Sequence, residues 1–230
     1  MDYYVISLLC IVAIVYTIIC SIRVKTTFNK YSKKESMRRI TGAEAAQMVL
    51  HQHGVSNVSI QRCSGKLTDH YDPRNNTISL SDDVYDSISV AAIGVACHEA
   101  GHAVQHATSY APLKLRNLII PITNFGARFS GLFIFAGLLL SYFFVGALFL
   151  AEIGIALFAF STLFQLITLP TEFNASRRAV ACITNGNILT QEEQKGAKRV
   201  LKAAAMTYVA ALALSLLQLL RLISIVNNRR

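Results

Sequence analysis

The stretch VACHEAGHAVQH, residues 95 to 106, sets three histidines and one glutamate among mostly small apolar residues. Residues four apart lie on one face of a helix. His98 and His102 can therefore offer their imidazoles to one Zn²⁺, at about 2.0–2.1 Å each. Glu99, beside His98, cannot share that face as a ligand but can reach a water on the metal. HExxH on a helix is the arrangement of zinc peptidases, with the glutamate as general base. Zinc lowers the pKa of its water, Glu99 takes the proton as the water attacks a carbonyl, and the protonated carboxyl then serves the leaving amine. The competing reading is a satisfied pair of core histidines with a surface glutamate. The apolar surroundings count against it, because buried ionisable groups need partners. His106 continues the spacing but lies about 12 Å along the axis from His98, so it is read as a supporting or structural residue. Cys97 is read as a packing residue.

Elements must carry this motif, and composition says where. The chain has 230 residues, 53% hydrophobic, with mean hydropathy +0.43. Only 15% are charged, yet the net charge is +9. That pairing points to a membrane protein with basic loops and excludes a nucleic-acid binder as the leading class. Five cysteines without a CxxC indicate neither a disulfide framework nor a thiolate zinc site, and fit a reducing compartment. A span needs roughly 20 apolar residues. Residues 3 to 22, 130 to 150, 153 to 169 and 203 to 220 qualify, the second and third joined by a tight turn at Ala151 and Glu152. The first lacks the basic flank and short core of a signal peptide. Residues 23 to 128 hold 13 Lys and Arg, and residues 170 to 202 hold six more, so 19 of 22 fall on one side. By the positive-inside rule that side is cytoplasmic, which places both termini outside. Arg221, Arg229 and Arg230 run against this pattern. The basic run from Arg23 to Arg39 reads as an orientation signal and a lipid-surface contact.

Within the first long loop, Thr41 and Glu44 form a capping box, and the helix they open should stop at Gly54. His51 and His53 near its end are read as dipole partners. VSNVSIQRC, residues 55 to 63, suits a short strand. Pro73 and Asn75–Asn76 mark a hairpin whose second strand is Thr77 to Leu80. Ser87 or Ser89 opens the HExxH helix, which runs to about Thr108.

A catalytic zinc takes three protein ligands and keeps one open position. Glu152 lies in the opposite turn. Asp69, His70 and Asp72 lie in the hairpin and stay eligible. Glu172 is the best candidate: it follows Pro170 at the inner end of the third span, an even number of spans from His98. Ser176, four residues on, shares its face and can orient a ligand. His70, Tyr71 and Arg177 are candidates for holding a substrate carbonyl.

These segments carry a resemblance. TGAEAAQMVL, GKLTDHYDPRNNTISLSDDVY, VAAIGVACHEAGHAVQH, YAPLKLRN and LFQLITLPTEFNASRRA resemble, in order, the shared segments of the bacterial membrane-bound neutral zinc metallopeptidases. The likeness covers the chain from about residue 41 into the fourth span. More distantly the chain is similar to membrane metalloproteases of the heat-shock and prenyl-protein-processing kind. The resemblance implies His98, His102 and Glu172 as ligands of one zinc per chain and Glu99 as the base. The second family has an Asp where Ser176 stands here. It also implies a strand, Thr77, Ile78, Ser79 and Leu80, whose free edge pairs with substrate backbone.

The expected fold is mainly α: an integral membrane protein with four transmembrane helices and a small α+β, zincin-like catalytic unit, β-hairpin plus HExxH helix, at the cytoplasmic face. Its divisions are residues 1–22 (first helix), 23–128 (basic segment and catalytic unit), 129–169 (helical hairpin), 170–202 (third ligand) and 203–230 (fourth helix and tail). The expected function is a multi-pass zinc endopeptidase of the bacterial plasma membrane. Its substrate is a membrane-associated protein or peptide, and it contacts lipid, no nucleic acid, and a second copy or a membrane-protein partner. The rival is a scaffold or adaptor in which zinc only stabilises the fold.

Overall fold

The structure is a computed structural model that describes residues 3–144 and 146–229. It is mainly helical, with one small sheet. The elements are α1 (Tyr3–Tyr31), α2 (Gly42–Gln52), β1 (Ser59–Cys63), β2 (His70–Asp72), β3 (Thr77–Ser81), α3 (Asp82–Tyr85), α4 (Val90–Ala107), α5 (Ala111–Leu140), α6 (Leu148–Asn185) and α7 (Gln191–Asn227). Four helices, α1, α5, α6 and α7, are long and apolar enough to cross a membrane. The chain divides into two compact units.

One unit comprises Cys20–Lys114 and Pro170–Met206. Local chemistry sets its element ends. Thr41 accepts from the Glu44 N–H through its hydroxyl, and Glu44 accepts from the Thr41 N–H, so the capping box is formed. α2 ends at the His53 cap, and Gly54 takes φ +65° just beyond it. Ser89 caps α4 by accepting from the Ala92 N–H at 3.2 Å. β2 and β3 form the expected hairpin, with Asp72 accepting from the Arg74 N–H in the turn. β1 joins β3 in parallel, Ser59 opposite Thr77 through Cys63 opposite Ser81.

The strand order β1-β3-β2 corrects one expectation. Thr77, Ile78, Ser79 and Leu80 form the middle strand, buried along their whole length, with β1 paired to all four and β2 to Thr77, Ile78 and Ser79. From Thr77 to Ser79 both edges are taken, so this is not an edge strand for a substrate. TISL reads as a core strand with its β-branched and aliphatic residues; β1, with a weaker apolar pattern, covers the edge that the hairpin alone would leave open.

The core of this unit joins Ala45, Val49 and Leu50 of α2, Ile78 and Leu80 of β3, and Val90, Ile93, Ala100 and Val104 of α4 with Ile183 of α6. Nearly every residue of α4 from Val90 to Gln105 is buried. Its small residues allow close approach: a Cβ at Gly101 would lie 2.8 Å from the Ala175 carbonyl oxygen of α6.

The other unit contains α1 up to Ile19, Leu115–Leu169 and α7 from Thr207. Here the helical hairpin differs from expectation. The turn lies between Leu140 and Leu148, with Gly146 at φ +94°, and Ala151 and Glu152 stand inside α6. Ala151 is fully buried because α5 and α6 meet there, at Gly137. A left-handed backbone at the turn suits glycine, which has no Cβ to clash. Tyr142, Phe143 and Phe144 at the turn are exposed, the pattern of an aromatic interfacial belt. α7 is continuous to Asn227, and Arg229 donates to the Leu138 carbonyl and the Tyr142 hydroxyl. That contact gives the discordant C-terminal cation a local role.

Candidate metal centre

Two turns of α4 present His98 and His102 on one face, ring centroids 4.7 Å apart and nearly perpendicular. Glu172, in the part of α6 beyond Pro170, faces them. Its Oε2 lies 3.3 Å from His98 Nε2 and 3.5 Å from His102 Nε2. All three ligand atoms fall within 4.8 Å of one another. Bonds of ~2.0–2.1 Å to a tetrahedral zinc separate neighbouring ligand atoms by ~3.3–3.4 Å. Both distances to Glu172 match that spacing, and the donor set suits zinc.

Electrostatics agree. Burial works against the Glu172 carboxylate, which is 3% exposed, yet hydrogen bonds and charge from His102 and His98 outweigh it and hold the group well below the ordinary carboxylate range. Burial likewise opposes a charge on His102, and Glu172 overcomes it, raising that imidazole above its ordinary value. The two shifts are one coupling: the imidazoles favour the carboxylate's negative charge, and the carboxylate favours the imidazole's positive one.

The far nitrogens of both rings are engaged. His98 Nδ1 lies 3.1 Å from Ser176 Oγ, as the shared face with Glu172 implied. His102 Nδ1 lies 3.0 Å from Gln105 Oε1. Gln105 is fully buried; its amide donates to the Thr171 carbonyl at 2.8 Å and to Asn174 Oδ1 at 2.9 Å. Arg178 Nε donates to the same Asn174 oxygen at 2.9 Å. Sequence reasoning named Ser176 and missed Gln105 and Asn174. A signal existed for the first: Gln105 is three residues from His102, the other same-face spacing, and a glutamine amid alanines and valines needs a buried partner.

Glu99 is 8% exposed and makes no hydrogen bond or ion pair among the described residues, though its charge acts on His102. A carboxylate without a protein partner beside the His102 ring is available to an incoming water.

Other candidates lie elsewhere. Asp69 accepts from the Ser81 N–H and hydroxyl, and Asp72 serves its own turn. His70 is exposed, with Nδ1 2.8 Å from the Thr68 carbonyl. His106 Nδ1 lies 2.7 Å from the Tyr71 hydroxyl, which also donates to Asn76. Burial, aided by the Asp72 charge, pushes the Tyr71 hydroxyl up to about 12, so it keeps its proton. Arg177 is exposed. Cys97 packs in the core, where burial pushes its thiol up. His53 Nδ1 lies 3.0 Å from the Val49 carbonyl at the end of α2. Among the described residues, His98, His102 and Glu172 form the one cluster of three metal-binding types.

Comparison with known proteins reaches the same chemistry. The profile of a family described as "Putative neutral zinc metallopeptidase" matches residues 6–227. The chain is 46% identical over 208 residues to a protein of Bacillus subtilis (strain 168) named "Putative membrane protease YugP", covering 90% of each chain. No solved structure matches. With a matching profile over nearly its whole length, this chain belongs to that neutral zinc metallopeptidase family.

Proposed function

We propose that the chain is a membrane-bound zinc endopeptidase that hydrolyses peptide bonds at the membrane surface. The observation that carries this reading is the convergence of His98, His102 and Glu172 within 4.8 Å, with a partnerless Glu99 alongside. His98 and His102 hold the ion through Nε2 and Glu172 through its carboxylate. Bound there, zinc supplies the Lewis acidity that makes water nucleophilic at neutral pH. Glu99 accepts the proton of the attacking water and returns it to the leaving amine, general base and then general acid. The Tyr71 hydroxyl, which donates to Asn76 Oδ1 here, would have to leave that partner to donate to a substrate carbonyl. Because β3 is interior, an extended peptide pairs with an outer strand; β2, which carries Tyr71 against His106 of α4, is the edge on the side of the motif.

Placement of the site follows from order along α6. The apolar run 153–169 ends one residue before Pro170, and Glu172 follows directly. The catalytic unit therefore sits close to the bilayer, on the side rich in Lys and Arg, the cytoplasmic face. Substrates are membrane proteins or segments delivered to that surface.

Substituting Glu99 by Gln tests the reading. The variant keeps one zinc per chain, measured by metal analysis of detergent-purified protein, and loses about 10²–10⁴-fold in cleavage of an unfolded or membrane substrate, the usual worth of acid–base catalysis. Wild-type protein that binds zinc and cleaves nothing would instead support the scaffold reading.

A further inference from the structure

His102 is held by a chain of four side chains that runs from a guanidinium to the candidate metal. Arg178 Nε donates to Asn174 Oδ1, Asn174 Oδ1 also accepts from Gln105 Nε2, and Gln105 Oε1 meets His102 Nδ1, at 2.9, 2.9 and 3.0 Å. Donor and acceptor chemistry gives this chain a direction. Arg can only donate, so the Asn174 atom facing it must be oxygen. That oxygen must accept from Gln105, so the Gln105 atom facing it must be the amide nitrogen. Its other hydrogen is taken by the Thr171 carbonyl. The remaining Gln105 atom is then oxygen, an acceptor, and it requires a hydrogen on His102 Nδ1. A neutral imidazole with Nδ1 protonated leaves its lone pair on Nε2, the nitrogen that faces Glu172 at 3.5 Å.

We propose that Arg178, Asn174 and Gln105 are positioning residues that lock His102 in the metal-binding tautomer. The proposal rests on the zinc peptidase reading and extends it to residues that touch neither metal nor substrate. Gln105 has a second effect: by bonding Thr171, the neighbour of Glu172, one fully buried side chain ties a ligand on α4 to the α6 turn that carries another. His98 lacks an equivalent. Its Nδ1 meets a single hydroxyl, Ser176, and a hydroxyl can donate or accept, so it imposes no tautomer. The two ligands are thus unequally supported, and His102 is the rigid one.

The test is zinc affinity of the full-length chain in detergent, by competition with a chromophoric chelator, together with thermal unfolding of the metal-free protein. Asn174→Leu removes the acceptor and keeps the bulk; Asn174→Asp keeps an oxygen toward both Arg178 and Gln105. Loss of a group that orients a metal ligand costs about 10–100-fold in affinity. Asn174→Leu and Gln105→Leu should fall in that range, and Asn174→Asp should recover most of what Asn174→Leu loses. Arg178→Met, at a partly exposed position, should weaken zinc less than Gln105→Leu does and leave metal-free unfolding unchanged. In histidine-labelled metal-free protein, at a pH where the imidazoles are neutral, nitrogen NMR should show a ring fixed as the Nδ1–H tautomer, with its signal absent in His102→Ala and no longer fixed in Gln105→Leu. Equal affinities for Asn174→Leu and Asn174→Asp, or for Arg178→Met and wild type, would overturn the relay while leaving the peptidase reading intact. Wild-type protein that holds no zinc would sink the peptidase reading first. If Asn174→Leu fails to fold, the Arg178→Met and NMR measurements still decide.

Discussion

At Glu172, burial and charge pull in opposite directions, and the two imidazoles win. Remove the carboxylate's charge and the histidines face a neutral group, with nothing to balance a divalent ion. Glu172→Gln should therefore lower zinc affinity by more than the about 10–100-fold typical of losing a supporting partner, as read by metal analysis after dialysis. Glu99→Gln should leave the metal in place. The two glutamates should thus separate by readout, Glu172→Gln in metal binding and Glu99→Gln in turnover. The residue types of the motif were legible in the sequence because HExxH spacing is a helical-face argument that needs no tertiary knowledge. Gln105 and Asn174 were not, since an uncharged amide announces a role only through its partner.

Between elements, the centre depends on how closely α4 and α6 approach. Gly101 is the point of contact: a Cβ there would lie 2.8 Å from the Ala175 oxygen. That is backbone, which cannot swing aside like a long side chain. Gly101→Ala should push the helices apart, cost about 1–3 kcal/mol in stability as overpacking does, and weaken zinc binding as Glu172 withdraws from both rings. Gly131 of α5 is the control, because nothing lies within 4 Å of a Cβ built there; Gly131→Ala should leave zinc binding as it is and should not lower the unfolding temperature. Caps and turns at Thr41, Ser89 and Asn75–Asn76 could be read locally, since their chemistry involves neighbours in sequence. Strand order could not. β1 pairs with β3 across Ser64 to Asn76 in parallel, a non-local choice, and it converts the expected substrate strand into the middle of the sheet.

Across the whole molecule, zinc at this site would join His98 to Glu172, 74 positions on, so on the proposed reading metal removal should loosen the fold as well as stop catalysis. At a free zinc concentration 100 times the dissociation constant, linkage contributes about 2.7 kcal/mol; chelation should lower the unfolding temperature, and zinc rather than magnesium should restore it. The charge asymmetry makes a second large-scale prediction. Cysteines added at each end, in a chain with Cys10, Cys20, Cys63, Cys97 and Cys182 replaced, should both react with a membrane-impermeant thiol reagent on intact cells, while one placed beside Lys195 should not. Labelling of either terminus only after lysis would reverse the orientation argued from the 19 basic residues. Arg229, which pairs with Leu138 and Tyr142, shows why three C-terminal arginines need not overrule that count: a cation can cap helix carbonyls.

The sequence by itself determined the four apolar helices, the capped HExxH helix and the shared face of His98 and His102, and it ranked Glu172 first among the further candidates. Hydropathy, capping and helical spacing act over a few residues and are written in their order. Only the tertiary structure decided that β3 is interior, that the α5–α6 turn lies at Gly146, and that Gln105 reaches Asn174 across two helices. Those outcomes depend on which surfaces meet, and no single segment carries that information.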